Sequence, residues 1–306
     1  MPKKTDCLCV GDLYVDILIK IQEPPRFGQV EQMAEDVHMA LGGSGCIFAA
    51  QFAKLGGSCG VIGKVGTDES SALIVRALAD AGVDVSRIAE REGTRVGYGI
   101  LLNHGDDRAM YAYAGDSDGF GEETLGPDLA HQCSHWHIAS YYLLQSLKSR
   151  WPGWIRNLRT RGVTVSLDTN YDPDERWADA RELLPLIDVF LPNETEACAI
   201  AGTDSAEAAG KKLAAECPLV VIKKGSHGAA AFKGDRQWSM AVPDDLRDGL
   251  AIIDTVGAGD SFDGGFLRAW TLGKSVDECL RWGIRCGCAS LRGPGGTAAQ
   301  WKETMV

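Results

Sequence analysis

The chain has 306 residues, 45% of them apolar and 24% charged, with a formal net charge of −11. That make-up is ordinary for a globular protein and fits one large domain or two small ones. The negative balance speaks against nucleic acid or an anionic membrane as a main partner. With neither a signal-peptide core nor an apolar run of membrane-spanning length, a cytoplasmic protein is expected.

In chain order, Cys7 to Val10 reads as a buried first strand ending at Gly11-Asp12. Tyr14 to Met39 is strand-like, broken at Pro24-Pro25 and Gly28. A helix is predicted over Gly45 to Leu55, a strand over Cys59 to Lys64, and a helix over Ser70 to Ala81 closed by Gly82. Thr94 to Asn103 and Arg108 to Ala114 read as a hairpin around Gly105-Asp106-Asp107. Beyond Gly121, short apolar strands (Trp136 to Ala139, Val163 to Leu167, Val189 to Leu191, Leu219 to Ile222) alternate with helices. The helices fall near 147–161, 177–184, 194–201, 205–216, 258–272 and 276–291. Such alternation implies parallel βαβ units with helices on both faces. The strand-rich pieces near 12–38 and 94–115 break this rhythm. They are expected to pair into a small sheet over a substrate; the alternative is a pair of edge hairpins extending the main sheet. The ten cysteines are scattered, several in apolar or helical runs, and are expected as free buried thiols. His135-x-His137 alternates along a strand with no Cys/His pair nearby, which favours a structural role.

The most informative stretch is 254–267. Asp254 and Asp260 flank a Gly257-Ala258-Gly259 turn, preceded by an apolar, strand-like run from Leu250 to Ile253 and followed by a helix-like run. Small residues at a turn that opens a helix leave backbone N–H groups free, and the helix dipole adds positive charge there, so phosphate oxygens are suited to it. Asp260 is not needed to hold phosphate, since its charge repels it. It is therefore the candidate general base for a nucleophile beside a transferring phosphoryl group, with the amides of Gly257, Ala258 and Gly259 as the anion hole. The plainer alternative is a strand–turn–helix corner with an acidic first turn. The stretch is neither a dinucleotide fingerprint, whose third glycine would fall on Phe262, nor a P-loop.

The run Asp-Thr-Val-Gly-Ala-Gly-Asp resembles the C-terminal signature of the ribokinase-like (PfkB) carbohydrate kinases. Gly42-Gly43 before a helix, Asn193-Glu194-Thr195-Glu196, and Val220 to Gly228 are similar to further motifs of that family, in the same order along the chain. The resemblance covers essentially the whole chain. It implies one domain over 1–306: an α/β, ribokinase-like three-layer core with a mostly parallel sheet between helices, plus a small β-sheet lid that in a homodimer would pair with its copy. It implies ATP as donor. Asn193 and Glu196 would organise Mg²⁺ through its waters; a helix cap is the plainer account of both. Asp254 would lie near a monovalent cation, K⁺ in many members, with carbonyls from Ala289 to Gly296, or else serve as a turn aspartate. Lys223, Gly225 and Gly228 would line the ATP phosphates.

On the acceptor side, Asp16 fits a carboxylate that accepts sugar hydroxyls, and Gly42 and Gly43 offer backbone contacts. Asp168-x-Asn170 is similar to the fructokinase and ketodeoxygluconate-kinase branch, but Tyr111 to Gly115 lacks the arginine that those enzymes use for acidic or phosphorylated substrates. Ile47 stands where the family signature has asparagine. The expected activity is ATP-dependent phosphorylation of a hydroxymethyl group on a small-molecule sugar. The alternatives are a nucleoside kinase of the same fold and a non-catalytic small-molecule binding protein.

Overall fold

A computed structural model describes residues 4–105, 107–116, 118, 125–247 and 251–302. Among them nine strands form the main sheet. They are β1 (Thr5–Val10), β4 (Cys59–Val65), β5 (Ile88–Glu90), β8 (Cys133–Ile138), β9 (Thr164–Leu167), β10 (Val189–Phe190), β11 (Val220–Lys223), β12 (Ala229–Lys233) and β13 (Arg236–Met240). Their order is β13-β12-β11-β10-β9-β8-β1-β4-β5. All neighbours are parallel as far as β11, while β12 and β13 add an antiparallel edge. The chain leaves β1 toward β4 and β5, then returns to build β8 and beyond on the other side. The strand order therefore reverses between β1 and β8, where open α/β sheets present a ligand crevice at the strands' carboxyl ends.

Alternation along the central strands feeds two apolar layers. Leu8, Val10, Trp136 and Ile138 face α3 (Trp151–Thr160), α5 (Glu194–Ala201) and α6 (Ala206–Leu213). Cys7, Cys9 and Val61 face α1 (Ser44–Lys54), α2 (Glu69–Asp80), α8 (Ala258–Thr271) and α9 (Val276–Ser290). Two short helices, α4 (Ala178–Arg181) and α7 (Asp244–Arg247), complete the set among the described residues. Helix starts follow local chemistry. Asp68 accepts from the Ser71 N–H at 2.8 Å to cap α2, and Ser275 with Glu278 forms a capping box on α9. All ten cysteines are free and nine are buried. His135 and His137 share one face of β8: His135 bonds Thr164 Oγ1 at 2.9 Å and Ser166 Oγ at 2.8 Å, and His137 also bonds Ser166 at 2.8 Å. Burial keeps both neutral, pushing their pKa values down to about 3.

The two strand-rich pieces form a separate four-stranded sheet rather than an extension of the main one. It comprises β2 (Tyr14–Lys20), β3 (Asp36–Gly42), β6 (Gly97–His104) and β7 (Asp107–Tyr113), in the order β3-β2-β6-β7. β3 reaches Gly42, beyond the expected limit near 38, because it runs directly into α1. One element lies beyond the sequence reading and one expectation fails. The β12–β13 hairpin leaves little sequence signal, since Ala229-Ala230-Ala231 carries little strand propensity of its own and is held by its neighbours. The apolar run before α8 is not a strand: Leu250 lies outside the described residues, and Ala251 to Ile253 are exposed, with only Ile253 N–H and Asp254 N–H reaching the Leu291 carbonyl at 2.8 and 3.4 Å.

Candidate active site

The crevice at the reversal holds two cavities that meet at the start of α8. The smaller, about 280 Å³, lies between the small sheet and the core and is lined by Asp12, Asp16, Ser44, Ile47, Arg108 and Asp260, among others. The larger, about 620 Å³, lies toward α9 and is lined by Lys223, Gly228, Ile252, Ala258, Gly259 and Ile284, among others. Asp260 opens only into the first and Ala258 and Gly259 only into the second, while Arg108 lines both.

The geometry of the turn follows from its glycines. Gly257 caps α8 in the left-handed region, with φ 69° and no side-chain cap, so the first-turn amides are left without intrahelical acceptors. A Cβ on Gly257 would stand 2.8 Å from Gly296 Cα and 2.9 Å from Ile47 Cδ1. Gly259 has ordinary space for a Cβ, whose nearest neighbour would be Lys223 Nζ at 3.6 Å; any obstruction there would act on a ligand.

Asp260 is half-buried at the floor of the smaller cavity. Burial raises its pKa to about 7, helped by the charges of Asp168 and Asp12 and opposed by Lys223 and by a hydrogen bond from Ser44. Ser44 belongs to a buried polar set that residue patterns did not reveal. Its N–H donates to Asp12 Oδ1 at 2.9 Å, the Ser140 hydroxyl donates to the same oxygen, and Asn170 donates to both Ser44 and Ser140. Ser140 and Asn170 both adopt positive φ, an arrangement that leaves little signal in sequence.

Asp16 projects from β2 between two glycines. A Cβ on Gly42 or Gly99 would stand 2.3 or 2.4 Å from its carboxylate, so Gly42 makes room for Asp16 rather than lining the cavity itself. Gly43, at φ 82°, does line it. Burial, then the carboxylates of Asp12, Asp260 and Asp254, push the Asp16 pKa up to about 7.

Lys223 lines the larger cavity, but Asp168 departs from its expected place and binds this lysine. Lys223 Nζ donates to Asp168 Oδ2 at 2.8 Å and to Asp263 Oδ2 at 3.0 Å, so two of its three protons are committed beneath the start of α8. Asp168 turns to this lysine and does not line the smaller cavity, because its neighbour in the fold is the end of β11. Burial works to discharge Lys223, yet Asp168, Asp263 and Glu196 hold its pKa above the ordinary lysine value. Burial pushes the Asp263 carboxyl up while Lys223 holds Asp168 below its usual range. Asp263, one turn after Asp260, was missed; the i, i+3 spacing of two aspartates on one helix was its only signal.

Asn193 and Glu196 cap α5 reciprocally. The Glu196 N–H donates to Asn193 Oδ1 at 2.9 Å, and the carboxylate accepts from Asn193 N–H at 2.8 Å and Nδ2 at 2.6 Å. Burial and the Asp168 charge raise the Glu196 pKa to about 7. Gly225 (φ 54°) has open space around it, whereas a Cβ on Gly228 (φ 84°) would meet the Met240 carbonyl at 2.0 Å. Asp254 is buried and ties two loops together: Oδ1 accepts from Val256 N–H at 3.0 Å and Oδ2 from Gly295 N–H at 2.8 Å. Among the described residues no three His, Cys, Asp or Glu side chains converge as a metal site.

Comparison with known proteins agrees with this fold. The chain is 28% identical over 305 residues to an ATP-dependent ribose-1-phosphate kinase of Halopiger xanaduensis, covering 98% of this chain and 96% of that protein. A ribokinase of Arabidopsis thaliana, solved with ribose and ATP, superposes with a TM-score of 0.83 at 24% identity, covering 98% of this chain and 96% of the other. Adenosine kinase from Sinorhizobium meliloti superposes with a TM-score of 0.85 at 21% identity over 96% of each chain. The model of the pfkB family carbohydrate kinases matches residues 4–303, and the chain belongs to that family.

Proposed function

We propose that this kinase transfers the γ-phosphoryl group of ATP to a hydroxymethyl oxygen of a neutral sugar, with Asp260 as general base. The observation that carries this is the seam at α8. One turn presents a carboxylate to the smaller cavity and uncapped helix amides to the larger. The sugar hydroxyl gives its proton to Asp260 as its oxygen bonds to phosphorus, the bridging P–O bond of ATP breaks, and ADP leaves. The amides of Gly257, Ala258 and Gly259 accept the charge that develops on the transferred group. The smaller cavity takes the acceptor under the small sheet, which acts as its lid, with Asp16 accepting hydroxyl hydrogen bonds and Gly43 lending backbone. The larger takes ATP along Gly225 and Gly228, with its apolar wall for the base; Lys223 contributes charge from below, held by Asp168. A neutral acceptor is favoured because Asp12, Asp16 and Asp260 in the smaller cavity outnumber its one cation, Arg108, which is itself turned to Asp254.

Mg²⁺ bound with ATP supplies charge neutralisation on the phosphates. Glu196, bonded to Asn193 and lining neither cavity, would order its waters from the side of Lys223, in keeping with a metal held mostly by phosphate and water. K⁺ beside Asp254 fits less well, because that carboxylate faces Arg108. The outer face of the lid sets Val37, Met39, Ile17, Ile19, Ile100 and Tyr111 in adjacent register rows. This apolar surface suits a second copy of the chain, and sedimentation of wild type against Met39→Lys would show a dimer lost. The activity is tested by acceptor-dependent ADP release over a panel of neutral sugars, sugar phosphates and nucleosides. Turnover with a neutral sugar is expected; ADP release that no acceptor stimulates would overturn the assignment.

A further inference from the structure

Arg108, which faces Asp254, occupies the junction of the two cavities. It stands on β7 of the lid, and its Nη1 is buried without a hydrogen-bond partner. That nitrogen lies 3.5 Å from Oδ1 of Asp254, whose side chain is only 3% exposed. Asp254 already accepts two backbone N–H groups, from Val256 and Gly295, and so braces the turn that opens α8 against the C-terminal loop. An uncompensated carboxylate at this position would set a negative field behind the amides that must receive a phosphoryl group, and burial leaves water little part in screening it. A free cation is the usual remedy. Here the space facing Asp254 holds a guanidinium, and a second cation beside it would be repelled.

We propose that Arg108 is the built-in counter-charge of Asp254, carried on the lid, and that it takes the place of a dissociable monovalent cation in this protein. The arginine acts as a positioning residue: it neutralises Asp254, which in turn holds the 254–257 turn. Because Arg108 belongs to the lid sheet, the charge reaches Asp254 only while that sheet lies on the core. The inference rests on the kinase reading for its consequence in turnover, but not for its consequence in stability.

The test compares wild type, Arg108→Gln and Arg108→Lys, titrated with KCl at ionic strength held constant by tetramethylammonium chloride. Melting temperature and, with the best acceptor, kcat are both read. Wild type is expected to be flat in both. Arg108→Gln should lose about tenfold in kcat through the uncompensated carboxylate. It should regain part of that with K⁺, and its melting temperature should rise with K⁺ but not with tetramethylammonium. Arg108→Lys keeps a charge and should stay indifferent to K⁺. Wild type that gains several-fold in rate or melts higher with K⁺ would overturn the proposal, as would Arg108→Gln that ignores K⁺ in both measurements. A protein inactive on every acceptor would sink the kinase reading alone, and the melting curves would still decide the counter-charge.

Discussion

The smaller and the larger cavity, proposed above to take acceptor and nucleotide, meet at one turn and differ in their balance of charge. The first is small and carries three carboxylates, Asp12, Asp16 and Asp260, against the single cation Arg108, which it shares with the second. The second is more than twice as large, and among the described residues its lining holds Lys223, Arg108 and Arg247 but no carboxylate. Hydroxyl-rich ligands need acceptors, whereas a polyanion needs amides and cations. In the proposed assignment, charge separates donor from acceptor before shape does, and the helix start at Gly257 serves both sides, with amides on one and the Asp260 carboxylate on the other.

The largest disturbance removes the turn that divides the cavities. Gly257→Val forces a branched side chain into a left-handed φ and against Gly296 and Ile47. Phosphoryl transfer should be abolished and the melting temperature lowered, the strain alone being of order 1–3 kcal/mol; a folded variant at full rate would mean that the turn does not hold the phosphoryl group. Asp16→Ala acts on one cavity only. Sugar affinity should weaken by about 1–3 kcal/mol while ATP affinity stays level, as read by calorimetry. A change in ATP affinity of the same size would erase the distinction between the two sides.

The pH dependence is expected from the acceptor side. Asp260 must be ionised to accept a proton, and its pKa is raised to about 7. kcat/KM should therefore fall as pH drops below about 7 and level off above it. A profile flat down to the ordinary carboxylate range would place the base elsewhere. The smallest effect belongs to Glu196→Gln. Glutamine can keep the bond from the Asn193 N–H but loses the one from Nδ2, so stability should fall by about 1 kcal/mol, while the Mg²⁺ needed for half-maximal rate rises a few-fold. An unchanged Mg²⁺ curve would leave Glu196 as a cap alone.

Much of the donor side was legible in sequence because its chemistry is local. The small-residue turn, the acid after it, and the Asn193 cap with Glu196 three residues on are each contained within one turn of chain. The run at Ile252 and Ile253 misled because apolar residues there are not packed in a sheet: Ile252 is 61% exposed and lines the nucleotide cavity. The acceptor side is assembled from distant pieces. Asp16 owes its room to Gly42 and Gly99 on neighbouring strands, and Ser44, Ser140 and Asn170 meet only through the fold. Asp168 was assigned to the sugar because a strand end gives no direction, and only the position of Lys223 decides which way it turns. Arg108 could not be seen as a partner of Asp254 across so many intervening residues.

The central claim is that the Asp260 carboxylate at the seam accepts the acceptor's proton. It is tested most directly by measuring Asp260→Asn beside wild type for acceptor-dependent ADP formation, with ATP binding and melting temperature followed in both. Turnover should fall by about two orders of magnitude or more while ATP binding is kept. Because the folded-state pKa of Asp260 lies above its unfolded value, its ionised form opposes folding. The variant should thus melt above wild type at about pH 8, with the gap narrowing below about pH 7 and closing only toward about pH 4. Near-normal turnover in a folded Asp260→Asn protein would contradict the account.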